Sequence, residues 1–165
     1  MPITLVLGVA LIAALLGVSA FFSSTEIAVF SLPSGTVGED VQGETLTRLR
    51  SDPHRLLVTL LVGNNVVNVA ISSIVTLLVA QRFSGGTAAV VATTAASVLI
   101  LVLGEIIPKS YGLGNAERWA LRAARPMAVV SVVLYPVVAV FDVVTSRVSG
   151  SIGGDTGVER TYEEY

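Results

Sequence analysis

The chain contains no cysteine, a single histidine, a single lysine and little charge of either sign. The missing cysteines exclude disulfides, thiolate metal sites and a thiol nucleophile. The one histidine, His54, falls outside every long apolar run, and no G-x-S-x-G segment occurs. An intramembrane hydrolase is therefore not expected, nor any other enzyme activity. Charged residues make up only 13% of the 165 residues, while 53% are hydrophobic. A soluble domain carries about 25% charged residues, so the composition points to a membrane protein. Basic residues are absent before Arg48, so the charged start of a cleavable signal peptide is missing. The net charge of −2 and the nine arginines against one lysine carry no functional reading.

What is present is long uncharged sequence. Residues 1–25, 56–80 and 83–104 hold no charge, and each run reaches the ~20 residues a spanning helix needs. The expected fold is an all-α integral membrane protein with three transmembrane helices, at about 3–31, 56–80 and 87–107. A polar loop with Pro33, Gly35, Gly38 and Gly43 follows the first span, a short amphipathic stretch covers 44–50, and Pro53 opens the second. The short turn at 81–87 makes spans two and three antiparallel neighbours. Span three meets Pro108, and an amphipathic basic segment suited to the membrane interface comes next. A fourth apolar run has only 15 residues between Pro126 and Asp142 and is interrupted by Pro136. A run that short is more often interfacial or re-entrant than spanning. Residues 1–147 thus read as one membrane domain with juxtamembrane segments at 33–55 and 109–147. Residues 148–165 read as a polar, glycine-containing tail.

Basic residues set the orientation. Arg48, Arg50 and Arg55 follow the first span, Arg82 alone lies between the second and third, and Lys109, Arg118, Arg122 and Arg125 follow the third. The N-terminus is expected outside, and the 33–55 and 109–125 segments in the cytoplasm. With three spans the C-terminus is cytoplasmic too. Small residues recur every four positions at Ala13 and Gly17 and at Ala88, Ala92 and Ala96, a spacing that permits close helix approach, although alanine is abundant enough for chance pairs.

Two carboxylates, Glu26 and Glu105, fall inside apolar runs. A charge near the bilayer centre costs roughly 2.5–3.5 kcal/mol on insertion scales, so each is a candidate ion-site residue. Other polar side chains share their faces. Ser23 and Glu26 are three apart, with Ser24 and Thr25 between them. Asn64, Asn68 and Ser72 recur every four residues, with Asn65 and Ser73 beside them. Ser97 and Glu105 are eight apart, with Gly104 adjacent. Pro108 has no N–H, so the Gly104 carbonyl loses its helical donor, and a free carbonyl at membrane depth must be buried in protein or line a wet cavity. These are hard oxygen donors, suited to Mg²⁺, Ca²⁺, Mn²⁺ or Na⁺ rather than to Zn²⁺ or Cu⁺. Structural readings compete with the ion site. Serine and asparagine often bond across helix interfaces, Glu26 can pair with a basic residue near the end of its span, and Glu105 stands four residues before Lys109, a common helix ion pair.

Three blocks, FFSSTEIAVFSL, RLLVTLLVGNNVVNVAIS and LVLGEIIPKSYGLGNAERWALRAARP, resemble the DUF21 transmembrane domain of the CNNM/CorC family of magnesium transporters, over about residues 3–147. The resemblance implies a homodimer in the plasma membrane, with three spanning helices per subunit and a cytoplasmic belt of juxtamembrane helices that takes in the fourth apolar run. It implies Mg²⁺ export coupled to Na⁺ entry by alternating access, with Ser23, Asn64, Asn68, the Gly104 carbonyl and Glu105 as metal ligands. Ser24, Thr25, Glu26, Asn65, Ser72 and Ser97 are further ion-site or cavity candidates. Where the family often reads FSGSE this chain reads FSSTE, which leaves the first-span ligands open. The family's CBS domains, which bind ATP-type nucleotides, are absent from these residues, so no nucleotide binding is expected here, and no nucleic-acid binding. A sensor or regulatory subunit that binds Mg²⁺ without moving it is the alternative. A purely structural anchor would have no need of two intramembrane carboxylates.

Overall fold

The structure, a computed structural model, describes residues 3–33 and 41–152. The expected all-α architecture is observed, and every described element is a helix. Helix α1 (Ile3–Phe30) is apolar around most of its girth, as a helix solvated by lipid is. Helix α2 (Val41–Arg50) is short and polar. Helix α3 (Pro53–Ala80) begins where its sequence dictates. The Asp52 carboxylate accepts the Arg55 N–H at 3.0 Å, and Pro53 occupies the first turn, where an N–H is not required. Helix α4 (Gly85–Leu99), a π-helical segment (Ile100–Ile106) and α5 (Ile107–Gly114) together form one 30-residue helix. Helix α6 (Ala116–Ile152) completes the fold.

Two sequence expectations shift in detail. The third long helix was expected to end at Pro108, but it continues to Gly114. The wide π register makes this possible. Ile107 N–H reaches back five residues to the Val102 carbonyl, and Pro108 falls in the first turn of α5, where its missing N–H is tolerated. The fourth apolar run is part of a 37-residue helix that passes through both Pro126 and Pro136. The carbonyls that lose donors there belong to Arg122 and Val132, both at exposed positions, where water or headgroups can serve them. By length and composition four helices could cross a membrane, namely Ile3–Phe30, Pro53–Ala80, Gly85–Gly114 and Ala116–Phe141. Residues 34–40 of the polar loop and 153–165 of the tail lie outside the described residues.

Helix α1 is the hub, packing against α3, α5, the π segment and α6. Two dry cores form along it. At its C-terminal end Phe22, Ala28 and Val29 meet Leu46 of α2, Leu56 and Leu60 of α3, and Ala120, Ala124 and Met127 of α6. Toward its N-terminus Ile12 meets Ile71 and Val75 of α3 and Ala96 of α4. Helix α6 contributes to the first core only. Arg50 ties α2 to the end of α1 by donating from Nη2 to the Leu32 carbonyl at 2.7 Å. Glycines set the closest approaches. A Cβ on Gly63 would stand 2.6 Å from Cζ of Phe22, and one on Gly112 would collide with the Ser24 carbonyl oxygen.

Gly112→Ala should therefore destabilise the fold by about 1–3 kcal/mol, because a rigid backbone atom is in the way. Gly17→Ala, which meets open space, should be neutral or slightly stabilising, since alanine is the better helix former. Thermal unfolding in detergent distinguishes them, and equal melting temperatures would refute the α1–α5 contact.

Candidate cation site

Between the two cores the facing positions of α1, α3 and the π segment are polar. Ser19, fully buried, places Oγ 2.9 Å from Asn64 Oδ1 and 2.9 Å from Asn68 Oδ1. Asn68 Nδ2 donates to Glu105 Oε1 at 3.1 Å. Gly104 closes the layer against α1, where a Cβ would lie 2.8 Å from Ser19 Oγ. Residues distant in sequence, 19, 64, 68, 104 and 105, thus meet at one level of the bundle.

The donor count dictates how this network runs. A hydroxyl carries one proton, so Ser19 cannot donate to both amide oxygens. The Asn68 amide is oriented by the carboxylate, which takes its N–H and leaves Oδ1 facing Ser19. Ser19 therefore donates to Asn68. Asn64 Oδ1 lies at the same distance from Ser19 Oγ, so both amide oxygens face the one hydroxyl. The path from Ser19 through Asn68 to Glu105 ends with an amide N–H on the carboxylate.

Glu105 has no basic partner among the described residues. Lys109, one helical turn away, instead holds Glu26 of α1 at 3.3 Å, with both side chains partly exposed. Glu26 thus serves as a strut between α1 and α5 at the edge of the bundle. The Glu105 carboxylate is half-buried. The described residues hold no cluster of three histidine, aspartate or glutamate side chains, so any ion here would be held by one carboxylate and neutral oxygens.

The remaining expected site residues fall in different places. Ser23 is fully buried one turn beyond Ser19 on the same face of α1, and its hydroxyl has no hydrogen-bond partner; the Thr25 hydroxyl is likewise buried without one. An orphaned buried hydroxyl is uncommon, and next to this layer it fits an oxygen kept for a ligand. Ser24 donates to the Ala20 carbonyl of its own helix at 2.6 Å. Asn65 is exposed and donates to the Leu61 carbonyl at 2.8 Å, and Ser72 donates to the Asn68 carbonyl at 2.9 Å. Ser97 is exposed and outside the network. Ser19 was the residue that sequence reasoning missed. It stands four before Ser23 and seven before Glu26, so the four-residue spacing that selected the asparagines would also have selected it.

Residues 10–164 match the Cyclin M transmembrane N-terminal domain, CNNM. The chain belongs to the CNNM family. Two chloroplastic DUF21 domain-containing proteins of Arabidopsis thaliana are 40% and 41% identical over 131 residues, which is 77% of this chain and 20% of each relative. The UPF0053 inner membrane protein YfjD of Escherichia coli is 25% identical over 146 residues, 86% of this chain and 34% of that protein. The chain thus spans about a fifth to a third of the length of these relatives. Its long apolar helices and this membership make it a multi-pass membrane protein.

Gly104→Ala should cost about 1–3 kcal/mol through its clash with Ser19 Oγ, and Ser19→Ala should cost a similar amount by leaving the Asn68 oxygen without a donor. In the double variant the clashing atom is gone, so the summed loss should fall short of additivity by at least about 0.5 kcal/mol. Unfolding of all four proteins in magnesium-free detergent measures the coupling; strict additivity would mean that the two residues do not touch.

Proposed function

We propose that this domain moves Mg²⁺ across the membrane, in the efflux direction and driven by Na⁺ entry, with the ion passing through the polar layer between the two cores. The observation that carries the reading is the Glu105 carboxylate, held by the Asn68 amide and without a basic partner among the described residues, while Lys109 is drawn to Glu26. The donor set fits the cargo. Ser23 Oγ, the amide oxygens of Asn64 and Asn68, the Gly104 carbonyl and Glu105 are all hard oxygens of the kind Mg²⁺ takes. The Gly104 carbonyl lacks its four-residue donor because Pro108 has no N–H. The Asn68 oxygen accepts from Ser19 and the Glu105 carboxylate from Asn68, so a cation taking these oxygens exchanges places with protein donors. With one negative charge against two positive, an ion bound there is incompletely neutralised, which favours release.

The exposed polar face of α3 supports a homodimer. Asn65, Ser73 and Thr76 face outward from a helix long and apolar enough to span, and such groups at membrane depth favour a second helix as partner. The position of α6 supports a cytoplasmic belt in place of a fourth span. It packs on α1, α2 and α3 at the first core and never joins the second, as a helix crossing alongside the others would. The bacterial relative's name places that protein in the inner membrane, which favours the plasma membrane here, with the N-terminus outside and the C-terminus in the cytoplasm.

Flux of Mg²⁺ in proteoliposomes should be abolished by Glu105→Ala and by Asn68→Ala. Glu26→Gln removes only a partly exposed ion pair and should keep flux within about twofold. Full flux in Glu105→Ala would reject the site, Mg²⁺ binding without flux in the parent protein would favour the sensor, and indifference to a Na⁺ gradient would reject coupling. The cysteine-free background allows a topology test as well. A cysteine at Asp155 should share the labelling side of one at Arg122, opposite to one at Arg82. Labelling of Asp155→Cys on the Arg82 side would require a fourth span.

A further inference from the structure

We propose that a second site, away from the polar layer, binds the phosphate headgroup of an anionic phospholipid. A cavity of about 360 Å³ opens between the end of α2, the start of α3 and the middle of α6. Arg48 and Arg55 line it, and neither guanidinium has a carboxylate partner among the described residues. The Arg55 guanidinium lies 4.4 Å from the centroid of the Tyr135 ring, a contact that orients the cation without neutralising it. The hydroxyls of Ser131 and Tyr135 also line the cavity and make no hydrogen bond among the described residues. Two guanidinium groups and two free hydroxyls form a donor set suited to a phosphate diester.

Charge and depth select the source of that phosphate. The only acidic residue in the lining, Asp52, is engaged as the cap of α3 through the Arg55 N–H. Two arginines and one aspartate leave a net charge of +1, which matches a monoanionic headgroup better than a multiply charged nucleotide. Arg55 is the last charge before the uncharged run at 56–80, so the cavity sits at headgroup level, where basic pockets between helices take acidic lipids. The rest of its wall is apolar, including Leu56 and Val132, and Val132 continues into exposed Val129 and Val133 on α6. That surface suits a glycerol backbone and acyl chain, and a free phosphate would have no use for it.

Native mass spectrometry of the detergent-purified protein, titrated with phosphatidylglycerol, phosphatidylcholine, inorganic phosphate or ATP, tests the proposal. One phosphatidylglycerol should be retained per chain in preference to phosphatidylcholine. Arg48 is exposed and unpartnered, so Arg48→Gln should fold normally and weaken that preference about fivefold. Arg48→Gln combined with Arg55→Gln should weaken it by roughly 25-fold, while Arg82→Gln, at the opposite end of the bundle, should leave it unchanged. Equal retention of the two lipids, an undiminished preference in the double variant, or inorganic phosphate or ATP displacing phosphatidylglycerol at equal concentration would overturn it. The site does not depend on Mg²⁺ transport, and a protein that fails to move Mg²⁺ would still discriminate between the lipids.

Discussion

A carboxylate at membrane depth must find donors inside the protein, and Glu105 finds one in the Asn68 amide at 3.1 Å. The rest of the bundle is arranged around that bond. To present its N–H to Glu105, Asn68 must turn its oxygen toward α1, where Ser19 supplies the proton, and Asn64 Oδ1 faces the same hydroxyl. A network of this kind is worth more complete than in parts, because any member left unpaired in low dielectric costs the full desolvation of its polar group. The dry cores on either side hold α1 and α3 in register so that the polar groups coincide.

Backbone geometry brings the third long helix into that layer. The π segment at 100–106 and Pro108 lie next to one another, and each weakens the regular hydrogen-bond ladder. Gly104 and Gly112 lack the side chains that would separate this helix from α1, so both stretches come into contact with it. Such an arrangement costs helix stability and places the Glu105 carboxylate against Asn68, with Gly104 against Ser19. The ion pair between Lys109 and Glu26 reinforces the approach from the exposed side, and by occupying the only lysine it leaves Glu105 uncompensated.

The end of the bundle at the first core is organised by different physics. Phe21, Tyr111 and Trp119 make edge-on contacts at 5.5–6.4 Å, the alanines of α6 allow it to lie close on α1 and α3, and Arg55 reaches across to Tyr135. Helix α3 joins the two regions, carrying the arginine at its start and the asparagines three turns further along. The chain covers about a fifth to a third of its relatives.

The first three long apolar runs, their helical character, the start of α3 at Pro53, and the polar stripes with Asn64, Asn68 and Glu105 were all legible in the linear chain, because charge density and four-residue spacing are local properties. The family was legible in the motifs around Glu26, Asn64 and Glu105. The partner of Lys109 was not legible, because spacing offered Glu105 and the packing of α1 on α5 offered Glu26. The part played by Ser19 was concealed by a cluster of more conspicuous polar residues four positions on. The π segment at 100–106, which carries the third long helix past Pro108, was not legible, since residue spacing does not announce the wider register. The continuity of α6 through two prolines was hidden for a related reason. Propensity forecasts a break there, and packing against α1, α2, α3 and α5 favours the continuous helix. Composition and periodicity determined which residues would be polar at membrane depth, while tertiary contact alone decided which of them would touch, because a hydrogen bond between positions 45 or 49 residues apart depends on how the helices are placed.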